Sequence, residues 1–263
     1  MTKYAIVTGG SSGLGKSLVQ LMADSGYYVF AMSRNIDPIP HERITAIRCD
    51  ITDETSIQQA LGLIRQTTQE LDVLANCAGF GISGPIETTP LELAKRQFEV
   101  NFFGTFNITK AAIDMLRPRK GRIFTISSVA ATIPIPFQSF YSSTKSALTS
   151  WSLCLDNELK PFGIRAIAVE PGDLSTGFTD NRIHVQTNDL YRERVTGSVS
   201  RMEADERSGK SSSDAARYFL KLIEKSNPAP LYVMGMDYKL FTLLYRLVPY
   251  RFSNYLIGRL YAR

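Results

Sequence analysis

Cysteine is scarce in this chain. Its 263 residues hold three, Cys49, Cys77 and Cys154. They lie in apolar or strand-like contexts without the paired spacing of a metal site, so they read as inert core thiols of a reducing cytoplasm, and no metal is expected. No apolar run approaches the ~20 residues that a membrane-spanning helix needs. No signal peptide is expected, because Met1-Thr-Lys-Tyr leads straight into a strand. Charge of one sign is also missing from most of the chain. The net +5 resides largely in the last 27 residues, where Lys239, Arg246, Arg251, Arg259 and Arg263 face one acid, Asp237, for +4; the remaining 236 residues carry about +1. A body without a basic stripe is a poor nucleic-acid binder. The length suits one large α/β domain, and 44% apolar with 21% charged residues is ordinary for a globular protein.

The dinucleotide pattern G-x-G-x-x-G is missing too. In its place the short apolar strand Lys3–Thr8 runs into Gly9-Gly-Ser-Ser-Gly-Leu-Gly15, followed by a helical stretch, Lys16 to Ser25. A glycine-rich turn between strand and helix lets backbone N–H groups approach a phosphate. Two phosphate patterns overlap here. Gly10-x-x-x-x-Gly15-Lys16-Ser17 fits a P-loop, whose lysine reaches phosphates and whose serine binds magnesium. Thr8-Gly9-x-x-x-Gly13-x-Gly15 is a second glycine spacing, and the local sequence leaves both open.

The rest of the chain bears on that fork. A second strand, Tyr27–Ser33, has no acid at its tip to accept from a ribose 2′-hydroxyl; it has Ser33 and Arg34, and a guanidinium suits a 2′-phosphate. A charged residue at a strand tip is also ordinary surface. A third strand, Arg43–Asp50, precedes a polar helix from about Asp53 to Glu70, and a fourth runs from Leu71 towards Gly79. Ile164–Glu170 and Leu231–Met234 follow as further strands. Strands alternating with helices give βαβ units, hence a Rossmann-type, doubly wound parallel sheet with helices on both faces and ligands at the strands' carboxyl ends. The helical stretch Leu91 to Leu116 passes through Asn101, a poor helix former, which either kinks the helix or does chemistry there.

The chemistry-bearing stretch is Tyr141-Ser-Ser-Thr-Lys145, near the start of a long helix from about Ser139 to Pro161. Residues four apart share a helix face. A free tyrosine titrates near ~10, and a neighbouring ammonium is expected to draw that value towards neutrality. Ser128, just past the strand-like run Arg122–Ile126, could present a hydroxyl to a substrate oxygen. By spacing alone Ser127 or Ser142 would serve nearly as well, and a lone Tyr–Lys pair at this spacing is common on solvated faces.

Taken together, Thr8-Gly-x-x-x-Gly-x-Gly15, Asp50, Asn76-Cys-Ala-Gly79, Asn101, Ser128, Tyr141-x-x-x-Lys145 and Pro171-Gly-x-x-x-Thr176 resemble, in order and spacing, the single-domain short-chain dehydrogenases/reductases. Cys77 departs from the family, which usually repeats asparagine there. The resemblance implies Tyr141 as general acid/base, Ser128 orienting the substrate oxygen, Lys145 on the nicotinamide ribose, and Asn101 holding a water that relays protons from Lys145. It implies a bound NADP(H) touched by Gly9, Ser11, Ser12, Gly13, Leu14 and Gly15, by Arg34, by Asp50 and Ile51, and by Asn76, Ala78 and Gly79. Tyr141, Lys145, Pro171, Gly172, Leu174 and Thr176 would complete the contacts. A homodimer or homotetramer is implied as well.

Gly79–Glu87 and Gly121–Lys145 look most like the hydroxysteroid and retinol dehydrogenase-like branch, whose members take bulky apolar ketones and alcohols. Ile82, Ile133, Ile135, Phe137 and Phe178 are the expected apolar lining. Residues 1–236 read as the catalytic domain. Within it, 177–212 are polar and aperiodic, a flexible lid, and a helix runs from about Ser213 to Lys225. Residues 237–263 form a helical extension with Leu240, Leu243, Leu244 and Leu247 at helical spacing. It is expected to pack on the domain or a sister subunit; its interleaved arginines also suit a shallow contact with an anionic membrane. Besides an active reductase, a cofactor-binding scaffold without turnover and a P-loop nucleotidase remain readings of the chain.

Overall fold

The computed structural model describes residues 1–262. Seven strands form one parallel sheet: β1 (Lys3–Thr8), β2 (Tyr27–Ser33), β3 (Ile44–Arg48), β4 (Val73–Asn76), β5 (Arg122–Ile126), β6 (Arg165–Pro171) and β7 (Leu231–Met234), in the order β7-β6-β5-β4-β1-β2-β3. The apolar runs of β1, β4 and β6 are buried on both faces, as a parallel sheet covered by crossover helices demands. One face is covered by α1 (Gly13–Asp24) and α7 (Ser212–Ile223), which pack Leu18, Met22 and Phe219 with Val7 and Val29 of the sheet. The other face carries α2 (Glu54–Arg65), α4 (Gly104–Leu116) and α5 (Ser139–Leu159), which enclose Ile6, Leu74 and Ile123.

Strand order reverses beside β1, so the chain leaves β1 and β4 in opposite directions and opens a crevice at their carboxyl ends. Three further helices lie over that end: α6 (Arg192–Ser208), and the C-terminal pair α8 (Met236–Leu247) and α9 (Tyr250–Tyr261).

Several local expectations change. The stretch 91–116 is helical throughout but is interrupted by a π-turn, Glu99–Phe103, between α3 (Leu91–Phe98) and α4, with Asn101 at its centre. Residues 177–212 are not aperiodic coil: they include α6, whose charged surface buries only Val195, Ser198 and Met202 and so hides the helical repeat. Cys154 is exposed rather than in the core, whereas Cys49 is buried.

Candidate active site

The glycine turn is held by contacts that only its sequence permits. Thr8 Oγ1 accepts from the N–H groups of Cys77 and Ala78 at 3.1 and 3.2 Å, tying the loop after β1 to the loop after β4. Gly9 has φ +68, and a Cβ there would meet the Ala78 backbone at 3.0 Å; a Cβ on Gly15 would stand 2.3 Å from the Gly9 carbonyl oxygen. Ser12 precedes α1 without a side-chain cap, and no acid lies in the first turn, so this N-terminus presents free N–H groups to an anion.

That geometry resolves the overlap of phosphate patterns. Lys16 is exposed and off the cleft, and Ser17 Oγ donates to Ser212 Oγ of α7 at 2.9 Å. The two residues a P-loop would aim at nucleotide and magnesium face away from the phosphate position, so the P-loop reading fails. Ser11 Oγ and Ser33 Oγ lie 2.9 Å apart, which places the strand tip and exposed Arg34 beside the glycine loop, where a ribose substituent would lie. Asp50 Oδ1 accepts from the N–H and hydroxyl of Thr52, leaving Oδ2 free at the adjoining wall. The residues therefore fit a phosphorylated dinucleotide.

A cavity of about 1380 Å³ runs from this loop over the ends of the strands. Of the expected catalytic and cofactor-contacting residues, all border it except Asn76 and Asn101. Asn76 is buried, and its Nδ2 donates to Thr109 Oγ1 of α4 at 2.9 Å, beneath the wall rather than in it. Asn101 accepts at Oδ1 from Phe80 N–H (3.0 Å) and donates through Nδ2 to the Phe80 carbonyl (3.0 Å) and Thr144 Oγ1 (3.2 Å). The buried amide thus clamps the loop after β4 to α5, while Thr105 donates to its carbonyl. Of the expected apolar lining, Ile133, Ile135 and Phe178 border the cavity. Ile82 does not; it is buried opposite Ile183 in a two-residue ladder. Phe137 adopts a left-handed φ of 61 and also lies off the wall.

Tyr141 and Lys145 share the face of α5 that looks onto the cavity. The Lys145 ammonium stands 5.6 Å from the Tyr141 ring centroid and donates to the Ile126 carbonyl at 2.7 Å. The Ser128 hydroxyl lies beside the Tyr141 phenol, and its oxygen accepts from Ala130 N–H at 3.1 Å to cap a turn of 3₁₀ helix. Burial pushes the Tyr141 phenol up to about 12, outweighing the lowering influence of the Ser128 hydroxyl, although the side chain keeps contact with the cleft. The expected lowering by Lys145 is therefore not seen: desolvation brings Lys145 itself down to about 8, which weakens it as a source of positive charge. At neutral pH the site holds a protonated phenol and a hydroxyl on one cavity wall, a pair suited to a carbonyl oxygen gaining negative charge.

Sequence reasoning missed Glu170. It is wholly buried, accepts from Thr132 Oγ1 at 3.2 Å and contacts Thr149 Oγ1 at 3.0 Å; Thr149 contacts Ser127 Oγ at 2.8 Å, and Ser127 donates to the Lys145 carbonyl at 2.9 Å. A carbonyl only accepts, so Ser127 gives it the one proton it has and must receive one from Thr149. Thr149 then has none left for Glu170, and the carboxyl must donate. Burial, which raises the Glu170 pKa, agrees. A neutral acid two residues before Gly172 thus anchors the backbone of α5 at Lys145. Also missed was the C-terminal pair as cavity wall: Tyr238, Phe241 and Leu244 of α8 and Leu256, Ile257 and Leu260 of α9 all border it. The Tyr238 hydroxyl bonds to Asp173 over Gly172, where a Cβ would strike the ring at 2.1 Å.

A glycine loop at the switch point of a parallel sheet, with Ser, Tyr and Lys converging at the strand ends, defines a dinucleotide-dependent oxidoreductase. The family model described as short chain dehydrogenase matches residues 3–186. A 3-ketodihydrosphingosine reductase of Bacteroides thetaiotaomicron is 37% identical over 230 residues, 85% of this chain and 84% of that protein. A short-chain dehydrogenase from Streptomyces avermitilis superposes with a TM-score of 0.84 at 27% identity, over 94% of this chain and 93% of that one. A short-chain dehydrogenase from Burkholderia cenocepacia, solved with NADP, shares the fold at 24% identity and a TM-score of 0.75, over 98% and 97%. The chain belongs to the short-chain dehydrogenase family and is an oxidoreductase acting on CH–OH/C=O groups.

Proposed function

We propose that the protein is an NADP(H)-dependent oxidoreductase that interconverts a bulky apolar ketone and its alcohol. The carrying observation is that the Ser128 and Tyr141 hydroxyls, with Lys145 beside them, border one cavity where the glycine-loop cleft meets its apolar part. NADPH, when bound, supplies the hydride. Ser128 Oγ and the Tyr141 hydroxyl orient the substrate oxygen, and Tyr141 passes its proton to that oxygen as charge develops there. Lys145 binds the nicotinamide ribose and Asn101 braces α5 against the loop after β4. The glycine loop takes the pyrophosphate, and Arg34 takes the 2′-phosphate. The loop from Pro171 to Thr176 covers the nicotinamide end.

Residues 177–212 act as the lid of this site within a catalytic unit of residues 1–236. Lid residue Arg182, fully buried, pairs with Glu206 of α6, to which Thr179 also donates. The 3-keto lipid in the name of the Bacteroides relative makes a long-chain ketone the first substrate to try. Cytoplasmic residence and a homo-oligomeric assembly complete the reading.

The test is Tyr141→Phe assayed with NADPH and a panel of long-chain, steroid and small ketones. Turnover should fall by ~10²–10⁴-fold while NADPH binding, followed by its fluorescence, stays within a few-fold. A near-wild-type rate in the variant would remove Tyr141 from its role. NADPH binding without turnover of any carbonyl would favour the scaffold reading.

A further inference from the structure

The C-terminal helices have two apolar sides. In α8, Tyr238, Phe241, Leu244, Tyr245 and Val248 beyond its end turn towards the cavity. Met236, Leu240, Leu243 and Leu247 follow a 4-3-4 spacing, one face of a helix, and are 78%, 53%, 54% and 72% exposed without bordering the cavity. In α9, Phe252 and Tyr255 are likewise exposed on the side away from the wall. Eleven of the nineteen large exposed apolar side chains of the described residues fall between Met236 and Leu260, a concentration that single surface leucines do not explain.

The charges on these helices decide what covers them. Lys239, Arg246, Arg251 and Arg259 are exposed, and no acid occurs from Tyr238 to Ala262. On α8 the helical repeat sets Lys239 and Arg246 along one border of the leucine stripe. A second copy docking through the same face about a two-fold axis would bring cations against cations. An anionic lipid surface instead accepts the apolar stripe at the headgroup boundary and attracts its basic border. Neither helix could cross it, since no helix of the described residues is long and apolar enough.

We propose that the outer face of α8 and α9 lies on an anionic lipid surface, so that the cavity these helices enclose receives its apolar substrate from the bilayer. Only the substrate clause rests on the function proposed above.

Flotation with vesicles tests the docking without any turnover. Wild type and the inactive Tyr141→Phe should both rise with vesicles of phosphatidylcholine containing phosphatidylglycerol, and much less with phosphatidylcholine alone. Each of Lys239→Glu, Arg246→Glu and Arg251→Glu should weaken partitioning by roughly fivefold or more. A Leu240→Ser/Leu243→Ser/Leu247→Ser variant should lose it while retaining NADPH turnover of a water-soluble ketone. Absence of wild-type flotation, equal flotation of the charge-reversal variants, or a dimer in vesicle-free buffer that the serine variant converts to monomer would each overturn the proposal. If the active substrate is an apolar lipid, presenting it in anionic vesicles should raise wild-type kcat/KM over the serine variant; equal rates would remove delivery from the bilayer.

Discussion

Glu170 ties stability to pH at a single side chain. Its raised folded pKa means that the native state holds this proton more tightly than the unfolded chain does. Its contribution is therefore full below the unfolded value of ~4.3 and is lost as pH rises through the folded value. Thr149 and Thr132 face the carboxyl, and Arg246 supplies a positive field. Glu170→Gln, whose amide can donate to Thr149 and accept from Thr132, should raise the melting temperature at neutral pH and flatten that pH dependence. Glu170→Ala, which takes the acceptor from Thr132 and one partner from Thr149, should cost ~1–3 kcal/mol. A glutamine variant melting below wild type at pH 7 would show that the carboxyl is ionised.

Lys145, held to about 8 by burial, gives a second titration. Its charge is present below that value and lost above it, while Tyr141 stays protonated throughout. In the reductive direction kcat/KM for NADPH, which reports the free enzyme, should be level through neutrality and fall above pH 8. Arg34 belongs to the same scale. As an exposed guanidinium beside the glycine loop it should favour NADPH over NADH by roughly tenfold, a preference that Arg34→Ala removes and added salt erodes.

At the scale of elements, what the sequence carries and what it hides have separate causes. The strands of the sheet are legible because burial on both faces leaves continuous apolar runs such as Ala-Ile-Val in β1. The kink at Asn101 is legible because asparagine competes with helical backbone bonding, and the structure answers with a π-turn. α6 is hidden because it covers the site with charged residues, Glu206 among them, so no apolar period marks it. Asn76 and Phe137 show another limit: a pattern places a residue in sequence, whereas the direction of its side chain depends on partners such as Thr109 or on a positive φ. The contact of α8 with the loop after β6 yields a prediction of its own. With the Tyr238 ring 2.1 Å from a Cβ on residue 172, Gly172→Ala must displace either ring or loop, at ~1–3 kcal/mol for overpacking. Thermal melts should show that loss together with weaker NADPH binding, because the same loop borders the cavity that the glycine loop opens into. A variant with unchanged melting and binding would mean that the helix docks loosely.

For the whole molecule, the two cores and the C-terminal pair are separable. Neither hydrophobic core cluster contains a residue beyond Met234, although α8 and α9 supply one wall of the cavity. Residues 1–235 should therefore keep the folded sheet and the glycine-loop cleft, since burial in those cores and the strand ladders does not depend on the tail. Substrate contact should change sharply. At ~25 cal/mol per Å², losing ~100 Å² of apolar contact with a bulky ketone is worth about 2.5 kcal/mol, or roughly 60-fold in affinity. A small ketone that reaches only Ser128 and Tyr141 would lose little. The measurement is a truncation after Gly235, compared with the full chain for cooperative melting, NADPH binding and KM for a small and a long-chain ketone. Intact melting and cofactor binding with a selective rise in the long-chain KM are expected. A truncated chain that no longer melts cooperatively would show that the tail is part of the fold, and equal loss for both ketones would show that it shapes the catalytic residues rather than the cavity.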